Sequence, residues 1–312
     1  MTFPFHTPLD GVGLIEIPAS GITSNVYVLG PPGDAALVDC SVAGSAPEII
    51  TTLEEQGHPP DGVKAIVITH GHSDHFGGAA ALAEWSGAPV WAHLAAAGNI
   101  EDHWSGYIAP GAPGPNAEPD DWERARARSG KTVRVARMLR EGDRIELGGL
   151  RLDVVHTPGH ERGLITLFER RRHLAFVGDL VQGGIDCSAN WLGLFTDVAG
   201  QRRSLARLAA LRPAWLFKGH RQPRTGTDVD ADIGAAMARL DVIEEALLDT
   251  LEHNSPVTIA QAARATFSQV LGMKEVEPVN YAVATVTAFF LDLAQRGRAR
   301  RNADRSWELA GK

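Results

Sequence analysis

Four side chains that can bind a metal ion are crowded into six consecutive residues at the end of the stretch "VKAIVITHGHSDH". They are His70, His72, Asp74 and His75. The apolar run before them is typical of a strand covered on both faces, and Gly71 allows a tight loop directly after it. Neutral imidazole and carboxylate are ligands that zinc and similar divalent ions prefer. We therefore predict metal ligands, with the first two side chains able to point to one centre and the last two to a second centre nearby.

Three further candidates stand near the ends of later β-like runs, and each directly follows a glycine. His160 comes after "VVHTPG", Asp179 after "HLAFVG" and His220 after "AWLFKG". The first stretch supplies only half of a two-metal site, so the remaining ligands must come from elsewhere in the chain. The same local context at three places indicates that these residues complete the site.

The elements that position these residues are short. From the N-terminus to about residue 225, β-rich runs separated by glycine and proline alternate with helical stretches. The pattern predicts paired strands at "VYVLG" and "AALVDC", a helix at Pro47–Gln56, and hairpins that turn at Gly148–Gly149 and near Arg171. This mixture favours a layered α/β fold with sheets inside and helices outside.

Two segments interrupt this pattern. Residues 105–121 are rich in proline and glycine, which is typical of either a functional lid or a mobile loop. Residues 183–195 mix small polar side chains with Trp191, Leu194 and Phe195, and they form either part of the core or the apolar wall of a pocket.

The composition becomes helical from about Asp228. Apolar residues at three- and four-residue spacing predict three helices, and a short hairpin follows them. This order resembles a winged-helix module, so we expect a catalytic domain at 1–227 and a helical domain at 228–312. Arginines cluster at the hairpin, where they form either a phosphate-binding patch or, as we favour, a solvated turn beside acidic neighbours. They are Arg296, Arg298, Arg300, Arg301 and Arg305.

The overall composition argues against several classes of protein. The chain has 312 residues and a formal net charge of −8, which argues against a nucleic-acid binder. Cys40 and Cys187 are the only cysteines and make no disulfide framework. The N-terminus lacks the pattern of a signal peptide, and no apolar run is long enough to span a bilayer. We expect a cytoplasmic protein without a membrane segment.

Taken together, the motifs resemble those of the metallo-β-lactamase superfamily. "HGHSDH" matches its HxHxDH motif, and "TPGH", "GD" and "KGH" match its later ligand motifs in the right order, over roughly residues 10–225. The resemblance implies an αββα sandwich that holds two divalent metal ions, with Zn²⁺ as first choice and iron or manganese also possible. It implies that one ion is held by His70, His72 and His160. The second would be held by Asp74, His75 and His220, with Asp179 bridging and Asp39 supporting the ligands.

The resemblance also implies hydrolysis by metal-activated hydroxide, with Asp74 and Asp179 as catalytic carboxylates. The bridging aspartate resembles glyoxalase II and related hydrolases, so we expect a small-molecule acyl thioester or ester as the substrate. Its acyl chain would lie against Trp191, Leu194 and Phe195. We expect structural roles for His93, His103 and Lys218.

Other functions stay open at this point. Related lactonases often carry a tyrosine where this chain has Gln182, so a lactonase is a weaker match. A winged-helix-like module also occurs in endoribonucleases of the superfamily, which keeps RNA or another phosphodiester open as a substrate. A metal-bound regulator is the third alternative, although a complete ligand set argues against it.

Overall fold

The first sheet carries the N-terminal half of the chain. The structure, a computed structural model, describes residues 2–19, 22–102, 119–182, 184–185, 192–272 and 280–311. Seven strands lie in sequence order, and they are β1 (Phe5–Leu9), β2 (Val12–Ala19), β3 (Ile22–Leu29), β4 (Ala35–Val38), β5 (Val63–Ile68), β6 (Val90–His93) and β7 (Val135–Leu139). The pairs from β1 to β4 are antiparallel, which confirms the predicted pairing of "VYVLG" with "AALVDC". The pairs from β4 to β7 are parallel.

Helices connect the parallel strands. They are α1 (Ala46–Glu55), α2 (Ser73–Phe76), α3 (Ala79–Ser86), α4 (Leu94–Glu101) and α5 (Pro119–Ser129). The predicted helix at Pro47–Gln56 is α1, displaced by one residue at each end. Of the predicted lid, residues 105–118 lie outside the described residues, and 119–121 belong to α5.

The second sheet has six strands in the order β13-β12-β11-β10-β9-β8. They are β8 (Arg144–Leu147), β9 (Leu150–His156), β10 (Ile165–Glu169), β11 (Leu174–Gly178), β12 (Trp215–Lys218) and β13 (Arg224–Thr225). Both predicted hairpins are present, as β8–β9 and β10–β11. Helix α6 (Val198–Leu211) crosses from β11 to the parallel strand β12.

Alternation of side chains along the strands builds the layers. In β5, Ala65 and Val67 face the second sheet, whereas Ile66 and Ile68 face the helices of the N-terminal half. The outer face of the second sheet is covered by α6 and by the C-terminal helices. Two inner sheets with helices on both outer faces make an αββα sandwich, as predicted.

The C-terminal region is helical, as expected. It contains α7 (Thr227–Asn254), α8 (Ile259–Leu271), α9 (Asn280–Gln295) and the hairpin β14 (Ala299–Arg301)–β15 (Trp307–Leu309). Its buried side chains form one continuous core with α6 and the second sheet. The division at residues 227 and 228 therefore stays a prediction, although α7 begins there. Among the helices of the described residues, none is both long and apolar enough to cross a membrane.

Candidate metal centre

Strand ends from both sheets meet at one place and bring all seven predicted ligands together. The loop after β5 carries the first two histidines, and α2 carries the next aspartate and histidine. The other three follow the ends of β9, β11 and β12. The strand ends bring these side chains together, and most of them are buried there.

The first group of donors consists of three buried imidazoles. His70 Nε2 lies 3.0 Å from His72 Nδ1 and 3.2 Å from His160 Nε2, and the last two nitrogens are 2.8 Å apart. Three mutually close ring nitrogens must include at least one pair of facing lone pairs or facing N–H groups. A cation between the rings would remove this conflict. One tetrahedral ion with bonds of about 2.0–2.1 Å would space the nitrogens by about 3.3 Å, close to the observed distances.

The second group lies beside the first and is richer in carboxylate. His220 Nε2 is 3.5 Å from Asp74 Oδ2 and 3.4 Å from Asp179 Oδ2. His75 Nε2 is 3.4 Å from Asp179 Oδ1. Asp179 Oδ2 is also 3.5 Å from His160 Nε2 of the first group. Asp179 therefore stands between the two groups, where a bridging ligand is expected.

Burial and neighbouring charges separate the protonation states of the two groups. Burial and the adjacent imidazoles hold the pKa of His70 well below its usual value, and burial lowers the pKa of His72 to about 3. Burial would also lower the pKa of His75, but the carboxylates beside it outweigh burial and raise it. Burial would raise the pKa of Asp179, but His220 and His75 outweigh it and hold that pKa well below its usual value. The first group is thus neutral imidazole, the form that binds metal.

Atoms of the second group also fit a cation. Within the described part of the chain, His75 Nε2 and Asp179 Oδ1 are buried side-chain atoms without a hydrogen-bond partner, and they lie 3.4 Å from each other. Gly219 forms a close-fitting cradle for these two side chains, because a Cβ at this position would lie 2.4 Å from His75 Cε1 and 2.6 Å from Asp179 Oδ1. The donors, their spacing and this cradle fit divalent metal ions.

Asp39, which directly follows β4, contacts the loop that carries the candidate ligands. Its Oδ1 accepts a hydrogen bond from the Thr69 backbone N–H at 2.8 Å, and its Oδ2 accepts one from the Thr69 hydroxyl at 2.8 Å. His75 Nδ1 lies 2.8 Å from the same Oδ2. A proton on Nδ1 leaves Nε2 without one, so this contact favours the tautomer of His75 that the predicted metal site needs.

Backbone carbonyls orient two other histidines, and sequence reasoning missed both. His220 Nδ1 donates to the Thr23 carbonyl at 2.7 Å, and His160 Nδ1 donates to the Leu194 carbonyl at 2.9 Å. Gln182 Nε2 lies 3.0 Å from His160 Nδ1, but two N–H groups do not bond, so this amide donates instead to Asp179 Oδ2 at 3.3 Å. No sequence pattern marks these carbonyls, because every residue has one.

The predicted substrate wall is only partly described. Trp191 lies outside the described residues, Leu194 is 7% exposed and Phe195 is 1% exposed. The Phe195 ring packs edge-on against Phe289 of α9, with ring centres 6.4 Å apart. The structure therefore places Phe195 in the core, and the pocket assignment stays a prediction.

Two of the three residues predicted to be structural, His93 and Lys218, have structural contacts. His93 caps α4 by accepting a hydrogen bond from Ala95 N at 3.3 Å. Lys218 forms a buried ion pair with Asp232 at 2.8 Å. His103 lies outside the described residues.

Acidic side chains surround part of the arginine cluster. Glu244 Oε2 is 2.8 Å from Arg296 Nη2, and Glu244 Oε1 is 3.3 Å from Arg298 Nη1. Arg300 is paired with Glu308 across the terminal hairpin. These ion pairs favour the interpretation of this cluster as a solvated turn.

Comparison with known proteins defines the class. Residues 20–220 match the family described as the metallo-beta-lactamase superfamily, and the chain belongs to it. The chain is similar over nearly its whole length to a solved metallo-beta-lactamase family protein of Thermus thermophilus. The TM-score is 0.76 at 25% identity, and the match covers 96% of this chain and 99% of that chain. The C-terminal helical region is therefore shared with that relative.

Two curated relatives have named activities. The chain is 35% identical over 157 residues to the acyl-coenzyme A thioesterase MBLAC2 of Gallus gallus, covering 49% of this chain and 54% of that protein. It is 31% identical over 160 residues to the hydroxyacylglutathione hydrolase GloC of Haemophilus influenzae, covering 49% of this chain and 64% of that protein. The matches therefore span between half and two thirds of the length of these two relatives.

Proposed function

We propose that this protein is a hydrolase that uses two divalent metal ions to cleave a carboxylic thioester or ester. The observation that carries the proposal is the pair of donor groups that share Asp179. The two named relatives act on acyl-coenzyme A and on hydroxyacylglutathione, and both substrates carry an acyl group on a thiol. Acyl transfer from a thiol to water is therefore the reaction that fits both the site and the relatives.

The seven donors would hold the ions in the arrangement that the family pattern implies. His70, His72 and His160 would hold one ion. Asp74, His75 and His220 would hold the other, and Asp179 would be shared. Zinc is our first choice, because this imidazole-rich set suits it, and a metal analysis of the purified protein distinguishes it from iron and manganese. When bound, the ions would lower the pKa of water towards neutrality and would polarise the acyl carbonyl.

The chain's own residues would supply orientation and proton transfer. The side chains of Asp74 and His220 are 25% and 17% exposed, whereas those of His75 and His160 are 1% and 2% exposed. The site therefore opens to solvent on the side of Asp74 and His220, and we place the substrate's approach there. Asp74 is the most exposed carboxylate among the ligands, so its carboxylate oxygen can take the proton from attacking water and return it to the leaving thiolate.

Thiol release from a panel of acyl thioesters tests the proposal. We expect turnover of about 1 per second or faster from the metal-loaded protein. His160→Ala removes a ligand, so we expect a loss larger than the 10- to 100-fold that is typical of outer supporting groups. His253→Ala is the matched control, because His253 lies on α7 with its side chain 67% exposed, and this variant should keep full activity.

Thiol release that does not exceed the His160→Ala background would overturn the thioester proposal. Lactones and then structured RNA would be assayed with the same two variants. Binding to RNA should weaken steeply with salt if the arginine cluster holds phosphates.

The acyl pocket is a separate part of the proposal. We place the acyl chain along the segment after Asp179, which includes Trp191 and Leu194. Trp191→Ser is expected to raise KM for long acyl chains more than for acetyl, with little change in kcat. Equal KM values in the variant and the unmodified protein would remove Trp191 from the pocket.

A further inference from the structure

Thr285 on helix α9 holds the backbone on both sides of Leu194. Its hydroxyl accepts a hydrogen bond from Phe195 N at 3.1 Å and donates one to the Gly193 carbonyl at 2.9 Å. Thr285 is fully buried, and Phe289, one turn further along the same helix, packs against the Phe195 ring. The conformation of this short segment is therefore set by a helix of the C-terminal region.

The segment held by Thr285 contacts two of the candidate metal ligands. The Leu194 carbonyl accepts the proton of His160 Nδ1 at 2.9 Å, which leaves His160 Nε2 as the ligand atom. The Leu194 N–H donates to Gln182 Oε1 at 2.8 Å, and the amide of Gln182 donates to Asp179 Oδ2 at 3.3 Å. One peptide segment thus orients both a first-group histidine and the shared carboxylate.

A second C-terminal helix holds the earlier part of the same connection. Asp232 on α7 is fully buried, and its Oδ1 accepts a hydrogen bond from Ile185 N at 2.7 Å. Its Oδ2 lies 2.8 Å from Lys218 Nζ, two residues before His220. A Cβ on Gly184 would lie 2.2 Å from Asp232 Oδ1, so the chain passes very close to this carboxylate. Two C-terminal helices therefore contact the connection from β11 to α6.

We infer that Thr285 is a positioning residue for the metal centre, and that the C-terminal helices serve the site by fastening the segment that orients His160 and Asp179. This inference rests on the metal-binding part of the proposed function. Removing the hydroxyl leaves a buried N–H and a buried carbonyl without their partner, so the Leu194 peptide is free to turn away from His160. Groups that contact a metal ligand directly typically change metal affinity by 10- to 100-fold, and Thr285 acts through one of them, the Leu194 carbonyl.

Zinc affinity, measured on the full chain by competition with a chromophoric chelator, tests the inference without any substrate. We expect Thr285→Val to weaken zinc binding by about 10-fold, the lower end of that range, and Thr285→Ser, which keeps the hydroxyl, to bind like the unmodified protein. Thr266→Val is the matched control. Thr266 is also fully buried in a C-terminal helix, but its hydroxyl donates to the Ala262 carbonyl of the same helix, away from the candidate ligands, so zinc affinity should not change.

The imidazole proton of His160 gives an independent readout. In the zinc-loaded protein, NMR should show a slowly exchanging proton on His160 Nδ1 in the Thr285→Ser variant and faster exchange in Thr285→Val. If Thr285→Val does not fold by circular dichroism, Thr285→Ala removes the same hydroxyl without a new methyl group in its place.

Unchanged zinc affinity in whichever of these two variants folds would overturn the inference. An equal loss in Thr266→Val, or an equal loss in Thr285→Ser, would overturn it as well, since the effect would not depend on this hydroxyl. Failure of the proposed function is a different result. In that case the unmodified protein would release no thiol from thioesters, while the pattern of zinc affinities would still hold.

Discussion

Replacing Asp39 with asparagine keeps the size of the side chain but replaces one of its two acceptor oxygens with an NH₂ group. Asparagine has the same shape and tolerates the left-handed backbone that Asp39 adopts, with φ 63°. Its amide oxygen can still accept the hydrogen bond from the Thr69 N–H. Its NH₂ group then takes the position of Oδ2, where it meets the N–H of His75 Nδ1. Two donors face each other, so we expect His75 to move its proton to Nε2, the atom that should bind metal.

The expected size of the effect follows from that one contact. In the variant, the metal-binding tautomer leaves the buried N–H of His75 Nδ1 facing another donor, and a buried donor without a partner costs about 1–3 kcal/mol. The 10- to 100-fold change in affinity that is typical of groups supporting a ligand corresponds to about 1.4–2.7 kcal/mol. The two figures agree, so we expect Asp39→Asn to lose roughly 10- to 100-fold in affinity for one ion.

Competition with a chelator at fixed pH, read as two successive zinc affinities, is the assay. The affinity of the second group should fall most, because His75 of that group contacts Asp39 directly. The first group is reached through Thr69, whose hydroxyl bonds to the same Asp39 oxygen and lies 3.2 Å from His70 Nδ1. Asp153→Asn is the matched control. Asp153 is a nearly buried carboxylate on β9 that pairs with Arg144 and Arg170, outside the ligand groups. The reasoning would be refuted if both zinc affinities of Asp39→Asn equalled those of the unmodified protein, or if only the zinc affinity of the first group fell.

Further predictions concern the metal, the cradle, the core and acid stability. Removing metal with a strong chelator should abolish thiol release, and added zinc should restore it; activity that survives in metal-free protein would contradict a metal mechanism. Gly219→Ala should lower zinc affinity, because its Cβ would lie 2.6 Å from Asp179 Oδ1, and unchanged binding would show that the site can widen. Phe195→Ala should destabilise the fold by about 3–5 kcal/mol in chemical denaturation, as expected for a fully buried ring; a change under about 1 kcal/mol would argue against its place in the core. Partial burial would raise the pKa of Glu244, but hydrogen bonds from Arg296 and Arg202 outweigh it and lower the pKa. Glu244 should therefore stabilise the protein at pH values above its unfolded pKa of about 4.3. The stabilisation should not exceed about 1 kcal/mol, because water screens the arginines, and it should be lost as the pH falls through the lower folded pKa. Equal stability of Glu244→Gln and the unmodified protein at pH 7 would contradict this.

Local patterns predicted most of the elements. The hairpin at Gly148–Gly149, the helix α1 and the helical C-terminal region depend on turn residues and short periodicities, which act over a few residues. The sequence predictions contain no helix at 198–211, where α6 lies. Its buried face includes Gln201 and Ser204, which break the apolar spacing. These side chains bond to the carbonyls of Leu180 and Pro158, partners that come together only in the folded chain.

The extent of the core also depended on tertiary structure. Helical spacing predicts α7, α8 and α9 correctly, but it carries no information on what each apolar face covers. In the structure those faces join the outer layer of the second sheet in one continuous core. Contact between distant elements decided this, because burial depends on which surfaces meet and not on the spacing along one helix.

The sequence by itself determined which side chains converge at the candidate site, because ligand chemistry and strand-end loops are local properties of the chain. Tertiary structure decided which ring nitrogen faces the centre, since that depends on the group that holds the opposite nitrogen. The Thr23 carbonyl does this for His220 across 197 residues, and the Leu194 carbonyl does it for His160 across 34 residues. Thr285 then holds Leu194 in place from the C-terminal helices. Backbone groups look alike at every position in a sequence, so only folding selects the ones that orient the ligands.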